Sequence, residues 1–168
     1  EKTKDLEIEI EKIVKELEVA KNSESEKTRS SIYEGFKAVI SSLQHRLTIS
    51  KKGDEILIFG SLSGNPESKS AIIAIQNINT ELVKRGIKLR IIFNNKLKNS
   101  TLAKFYEKLP GCKLKYIQEE VPLGIALYRD FVYTLVWDNP QNPTSVLTKS
   151  ESISNCYKNF FEDMWKRN

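Results

Sequence analysis

Few residues in this chain have a type and spacing that could do chemistry, and those that do are uncharged or solitary. The apolar run Glu55-Ile56-Leu57-Ile58-Phe59 leads into Gly60-Ser61-Leu62-Ser63-Gly64-Asn65-Pro66, which is loop chemistry following a strand. Ser61, Ser63 and Asn65, with Asn94 and Asn95 after the next apolar run, would gather hydrogen-bonding groups at the carboxyl ends of two parallel strands, where open α/β sheets bind ligands. Such groups suit a neutral polyol or sugar; they are equally the residues that turns use to satisfy their own backbone. The loop has neither the Gly-Lys-Ser/Thr ending of a P-loop nor the three-glycine dinucleotide fingerprint. His45, the only histidine, falls on the side of its helix away from the apolar stripe and is expected in solvent. With no second histidine, no paired cysteines and no acidic cluster at ligand spacing, neither a metal site nor a cofactor is expected. The expectation is of a chain that is not an enzyme.

At 168 residues, 39% hydrophobic and 29% charged, the chain fits one domain plus an appendage. Cys112 and Cys156 stand alone, which fits a reducing compartment and a cytoplasmic protein. No apolar stretch approaches the roughly 20 residues that cross a bilayer, and there is no signal-peptide pattern, so no membrane partner is expected. The net charge of +5 is spread among acids rather than gathered into a run, which argues against a nucleic-acid surface on this chain.

Leu6, Ile10, Ile13, Leu17 and Ala20 alternate spacings of four and three, the seam of a left-handed coiled coil. Residues 1–22 are thus expected to form a dimerisation helix that pairs with a second copy, the other outcome being that the seam packs on its own domain. The polar stretch Asn22 to Thr28 reads as a linker, and 29–168 as the domain that follows. There, a short strand at Ser30 to Tyr33 precedes a helix with the stripe Phe36, Val39, Ile40, Leu43 and Leu47. Strand Glu55 to Phe59, a helix with Ala71, Ile75, Ile78 and Leu82, and strand Ile87 to Phe93 form a unit of parallel strands. A shorter helix carrying Leu102, Phe105, Tyr106 and Leu109 leads to an edge strand at Lys113 to Ile117. Ile125 to Tyr128 and Val132 to Trp137 flank Arg129-Asp130 as a hairpin, and Ser145 to Leu147 adds a third antiparallel strand. A capping box of Thr148 and Glu151 opens a final core helix with Ile153, Cys156, Tyr157, Phe160, Phe161, Met164 and Trp165 at helical spacing. The fold class is α/β, a coiled-coil helix plus a mixed-sheet domain.

The coiled-coil seam, then Ile32-Tyr33-Glu34-Gly35-Phe36, Glu55 to Gly60, Tyr128-Arg129-Asp130 leading into Leu135-Val136-Trp137, and Tyr157-Lys158-Asn159-Phe160-Phe161 with Trp165 follow one another in an order that resembles archaeal TrmB-family transcriptional regulators in the part that follows their DNA-binding region. The resemblance implies a winged helix that binds DNA, a coiled coil that dimerises, and an α/β domain like one half of phospholipase D. The chain opens on Glu1 inside a helical pattern, so DNA contact is expected only through an N-terminal domain absent from these residues.

The phospholipase D motif implied by the resemblance is His-x-Lys, four residues, then Asp. With Asp130 as its aspartate, the histidine and lysine positions fall on Leu123 and Ile125, and leucine has no lone pair with which to attack phosphorus. The leading expectation is a dimerisation and effector-sensing domain of a TrmB-like regulator, with a sugar or another small molecule as effector. The alternatives are a phospholipase D-like phosphodiesterase or nuclease, and an assembly module without ligand.

Overall fold

The computed structural model describes residues 10–15, 28–60, 68–139 and 141–168. Helix α1 (10–15) is followed by β1 (Arg29–Glu34), α2 (Phe36–Ile49), β2 (Glu55–Phe59), α3 (Lys69–Lys84) and β3 (Lys88–Asn94). Next come a 3-10 turn (Asn95–Leu97), α4 (Thr101–Lys108), β4 (Cys112–Ile117), β5 (Gly124–Tyr128), β6 (Phe131–Val136), β7 (Thr144–Lys149) and α5 (Glu151–Arg167). Among the described residues no helix is long and apolar enough to cross a membrane.

The seven strands form one mixed sheet in the order β1-β7-β6-β5-β2-β3-β4. β2, β3 and β4 are parallel, as their helical crossovers require, whereas β5, β6, β7 and β1 pair antiparallel. The seam between the halves is β2 against β5, with Phe59 opposite Ile125. Each strand divides its side chains between two faces. Ile56, Leu89, Ile91, Phe93, Ala126, Tyr128, Tyr133 and Leu135 face the larger core with α2, α3 and α4; Leu57, Phe59, Ile92, Ile125, Leu127 and Val132 face Phe161 and Met164 of α5. Fully burying a side chain of this size stabilises by roughly 1.5–3 kcal/mol.

The helices begin where serine can cap them: Ser68, Ser100 and Ser150 accept from Ala71, Ala103 and Ile153 N–H groups. The start of α5 therefore differs from the expected Thr148–Glu151 box, because β7 runs on to Lys149 and Ser150 takes the cap. The last helix is also less of a core element than its spacing predicts. Tyr157, Phe161, Met164 and Trp165 pack inward, while Cys156 is exposed, Ile153 is 37% exposed and Phe160 is 50% exposed, because only one side of α5 meets the sheet. At the entry to the domain, Thr28 Oγ1 donates to Ser150 Oγ at 3.2 Å, and the Ser150 N–H donates to the Asp130 carbonyl at 2.8 Å.

Candidate functional site

Of the residues expected to line a polar crevice, Ser61, Ser63 and Asn65 lie outside the described residues. Asn94 ends β3; its Oδ1 accepts from the Lys96 N–H at 2.9 Å, and its Nδ2 donates to the Gln118 and Glu119 carbonyls at 2.9 and 3.0 Å. It uses its amide to cap the 3-10 turn and hold the segment after β4, the side-chain-to-backbone bonding typical of asparagine in turns. Asn95 begins that turn and is half-buried. On the expected seam, Leu6, Leu17 and Ala20 fall outside the described residues, whereas Ile10 and Ile13 lie on α1 with just over half of each side chain exposed.

The motif positions separate by face. Ile125 is buried against the α5 side of the sheet, with Leu123 packed at its margin. Asp130 sits in the β5–β6 turn, its Oδ2 3.6 Å from Lys149 Nζ. His45 belongs to the opposite face and is not in solvent as expected: it is half-buried, Nδ1 lies 2.8 Å from the Tyr133 hydroxyl, and its ring meets Phe131 edge-on at 5.0 Å. Burial lowers its pKa from 6.5, because desolvation disfavours the charged imidazolium.

A second group of polar side chains gathers in the larger core. Beneath α2, α3 and α4 lies a cavity of about 90 Å³, where about 10–15 Å³ holds one water. Leu43, Ile58, Ile75, Phe93 and Leu135 give it apolar walls, and Gly60, Ser100 and Thr101 line it as well. Besides Ser100 and Thr101, its polar lining is Arg46, Asn79, Tyr106 and Tyr133. Arg46 is only 2% exposed. It extends the buried stripe of α2, three residues beyond Leu43 and seven beyond Val39. Its Nε donates to the Leu43 carbonyl at 3.1 Å, and its guanidinium carbon lies 5.8 Å from the centre of the Tyr133 ring. Its two terminal nitrogens have no hydrogen-bond partner among the described residues. Burial lowers its pKa, but arginine keeps its charge in proteins. Asn79 of α3 donates from Nδ2 to the Tyr106 hydroxyl at 2.7 Å, leaving its buried Oδ1 unpartnered.

Charge on the α5 side is arranged differently. In a groove lined by Asp54, Arg90, Arg129, Lys158 and Glu162, Arg90 pairs with Glu55 and Glu162, and Arg129 pairs with Asp54 at 2.7 Å. The Tyr128 hydroxyl and Arg129 together hold the Asp54 carboxyl below its ordinary pKa. Arg90 and Arg129 thus have carboxylate partners, whereas Arg46 has none among the described residues. Nothing in the composition marked Arg46; its one signal is the three-and-seven spacing that places a charged residue on an otherwise buried helical face.

No protein-family model matches the chain, and no curated protein sequence matches it. Solved structures do. TrmBL2, an archaeal chromatin protein whose structure shows a novel mode of DNA binding, superposes with a TM-score of 0.57 at 18% identity over 98% of this chain. The match spans 62% of the TrmBL2 chain. NucT from Helicobacter pylori matches over 83% of this chain and 97% of its own, with a TM-score of 0.60 at 13% identity. Nuc from Salmonella typhimurium, a phospholipase D family member, matches over 83% of this chain and 95% of its own, with a TM-score of 0.59 at 12% identity. The domain thus has the mixed α/β fold of the phospholipase D family.

These neighbours correct the expectation that the chain is not an enzyme. Leu123 and Ile125 lack the motif's nucleophile and lysine, but NucT and Nuc, the latter from a family named for an enzyme, share the fold nearly end to end. Losing one motif's side chains removes one route to chemistry rather than every route.

Proposed function

We propose that this chain is the dimerising, effector-sensing part of a DNA-associated regulator of the TrmB type, with residues 1–22 as the dimerisation helix and 29–168 as the phospholipase D-like sensing domain. The observation that carries this reading is the similarity to TrmBL2 over 98% of the chain, which takes in both the leading helix and the sheet domain. The exposed Ile10, Ile13 and Val14 supply an apolar strip for a second copy, and the cavity at Arg46 supplies the place for an effector. An effector that binds one arrangement of the two subunits better than another shifts the population toward it. The test is light scattering over a range of concentrations: the chain is expected to be a dimer, and a monomer at high concentration defeats the reading.

A second reading, phosphodiester hydrolysis, is favoured by the fold shared with the phospholipase D family member Nuc. With no histidine at position 123, it requires another nucleophile or an activated water. Incubation of purified protein with bis(4-nitrophenyl) phosphate and with DNA tests it. Turnover that disappears in His45→Ala or Asp130→Ala protein supports this reading, and no turnover of either substrate overturns it.

A further inference from the structure

We infer that the cavity beneath α2, α3 and α4 binds a small monocarboxylate, with Arg46 as its counter-ion. The inference rests on the reading above in treating this cavity as the effector site, and it replaces the neutral sugar expected from the loop residues with a ligand of one negative charge.

The argument begins with an unbalanced group. Arg46 lines the cavity and is 2% exposed, and among the described residues it forms no ion pair and its only hydrogen bond is from Nε to the Leu43 carbonyl. A buried cation without a partner is costly, so such a group is found where something else supplies the charge. The guanidinium fork presents two parallel N–H groups that match a carboxylate or phosphate edge.

Charge count and space decide between those two. A phosphate monoester carries between one and two negative charges near neutral pH and would leave excess charge among Leu43, Ile75, Phe93 and Leu135; a carboxylate cancels one arginine. The apolar walls suit a short hydrocarbon body, and the volume of about 90 Å³ holds several non-hydrogen atoms rather than a phosphorylated metabolite. The first turn of α4, with Ser100, Thr101 and Leu102 on the lining, places the positive end of a helix dipole on the same cavity.

Calorimetric titration of the full chain with straight-chain carboxylates of two to six carbons, their primary amides, their 2-hydroxy derivatives, inorganic phosphate and glucose provides the test. Saturable binding of carboxylates is expected, with the amides at least tenfold weaker. Arg46→Met should abolish carboxylate binding while leaving the unliganded melting temperature at or above that of the parent, since the substitution removes an unpaired buried charge. Amides that bind as well as acids, an Arg46→Met protein that keeps carboxylate affinity, or a preference for phosphate or glucose would each overturn the inference. If Arg46→Met fails to fold, the acid-against-amide comparison in the parent still decides. Light scattering on the same samples separates the two proposals: a dimer that ignores carboxylates defeats this inference alone, and a carboxylate-binding monomer defeats the regulator reading alone.

Discussion

Nδ1 of His45 lies 2.8 Å from the hydroxyl of Tyr133, a residue 1% exposed. Burial depresses the imidazole pKa below 6.5 in the folded protein, so the fold favours neutral histidine. The resulting stability is fully present above about pH 6.5 and is lost as pH falls through the lower folded value. Urea midpoints should therefore fall between pH 7.5 and 5.5, and His45→Gln should flatten that slope. Asp54 and Glu162 have carboxyl pKa values depressed from 3.8 and 4.5, so their contributions fade only below this window.

Gly60 has φ of +78°, and a Cβ there would lie 1.9 Å from the Leu123 carbonyl oxygen. Gly53 also has positive φ, +93°, yet nothing stands within 4 Å of its Cβ position. Gly60→Ala should cost on the order of 3 kcal/mol from clash plus backbone strain, and Gly53→Ala about 1 kcal/mol from strain alone. Chemical denaturation of the two variants checks the difference; equal losses would show that the β2–β5 seam yields easily.

Arg90 reaches the α5 side of the sheet, where its guanidinium carbon lies 5.3 Å from the ring centres of both Phe161 and Trp165. Its Nη1 donates to Glu162 Oε2 at 3.1 Å, and Nη2 to Glu55 Oε2 at 2.9 Å. A double-mutant cycle of Arg90→Met and Glu162→Gln should give a coupling of about 1 kcal/mol, kept small because Glu162 is partly in solvent. Arg90→Met alone should cost about 2 kcal/mol, since the stacking is lost as well. A Trp165 fluorescence change in that variant, recorded under native conditions, checks the stacking separately.

The seam makes a different kind of prediction. Ile10→Asp with Ile13→Asp should weaken dimerisation by about a hundredfold or more, because four apolar side chains would leave a two-chain interface. Sedimentation equilibrium reads this directly, and the domain melting temperature extrapolated to low concentration should not change.

The central strands were legible because Ile56 to Phe59 and Leu89 to Phe93 are buried on both faces and so form nearly unbroken apolar runs. The β5–β6 hairpin was legible from Arg129-Asp130 between two apolar stretches, and the inner face of α3 from its three-and-four spacing. The placement of β5 beside β2 was not, since a pairing across more than sixty residues leaves no local mark. The surroundings of His45 are not legible, because helical spacing identifies the apolar stripe of α2 but not the aromatic side chains of β6, which reach its flank. For Arg46 the two signals conflict: its charge suggests solvent while its spacing from Val39 and Leu43 puts it on the buried face, and the packing of α2, α3 and α4 decides for the interior.

Thr28 meets Ser150 where Arg29 stands opposite Lys149, at one end of the β1–β7 ladder. Mechanically this corner is the open end of a zipper. Tension entering through Thr28 and directed away from the sheet would load the ladder one pair at a time from that end, rather than all six in shear. The first groups to feel it would be the cap of α5 and, through the Ser150 N–H, the β5–β6 turn at Asp130, so a small force from the preceding helix would reach the last helix and the central hairpin at a single point.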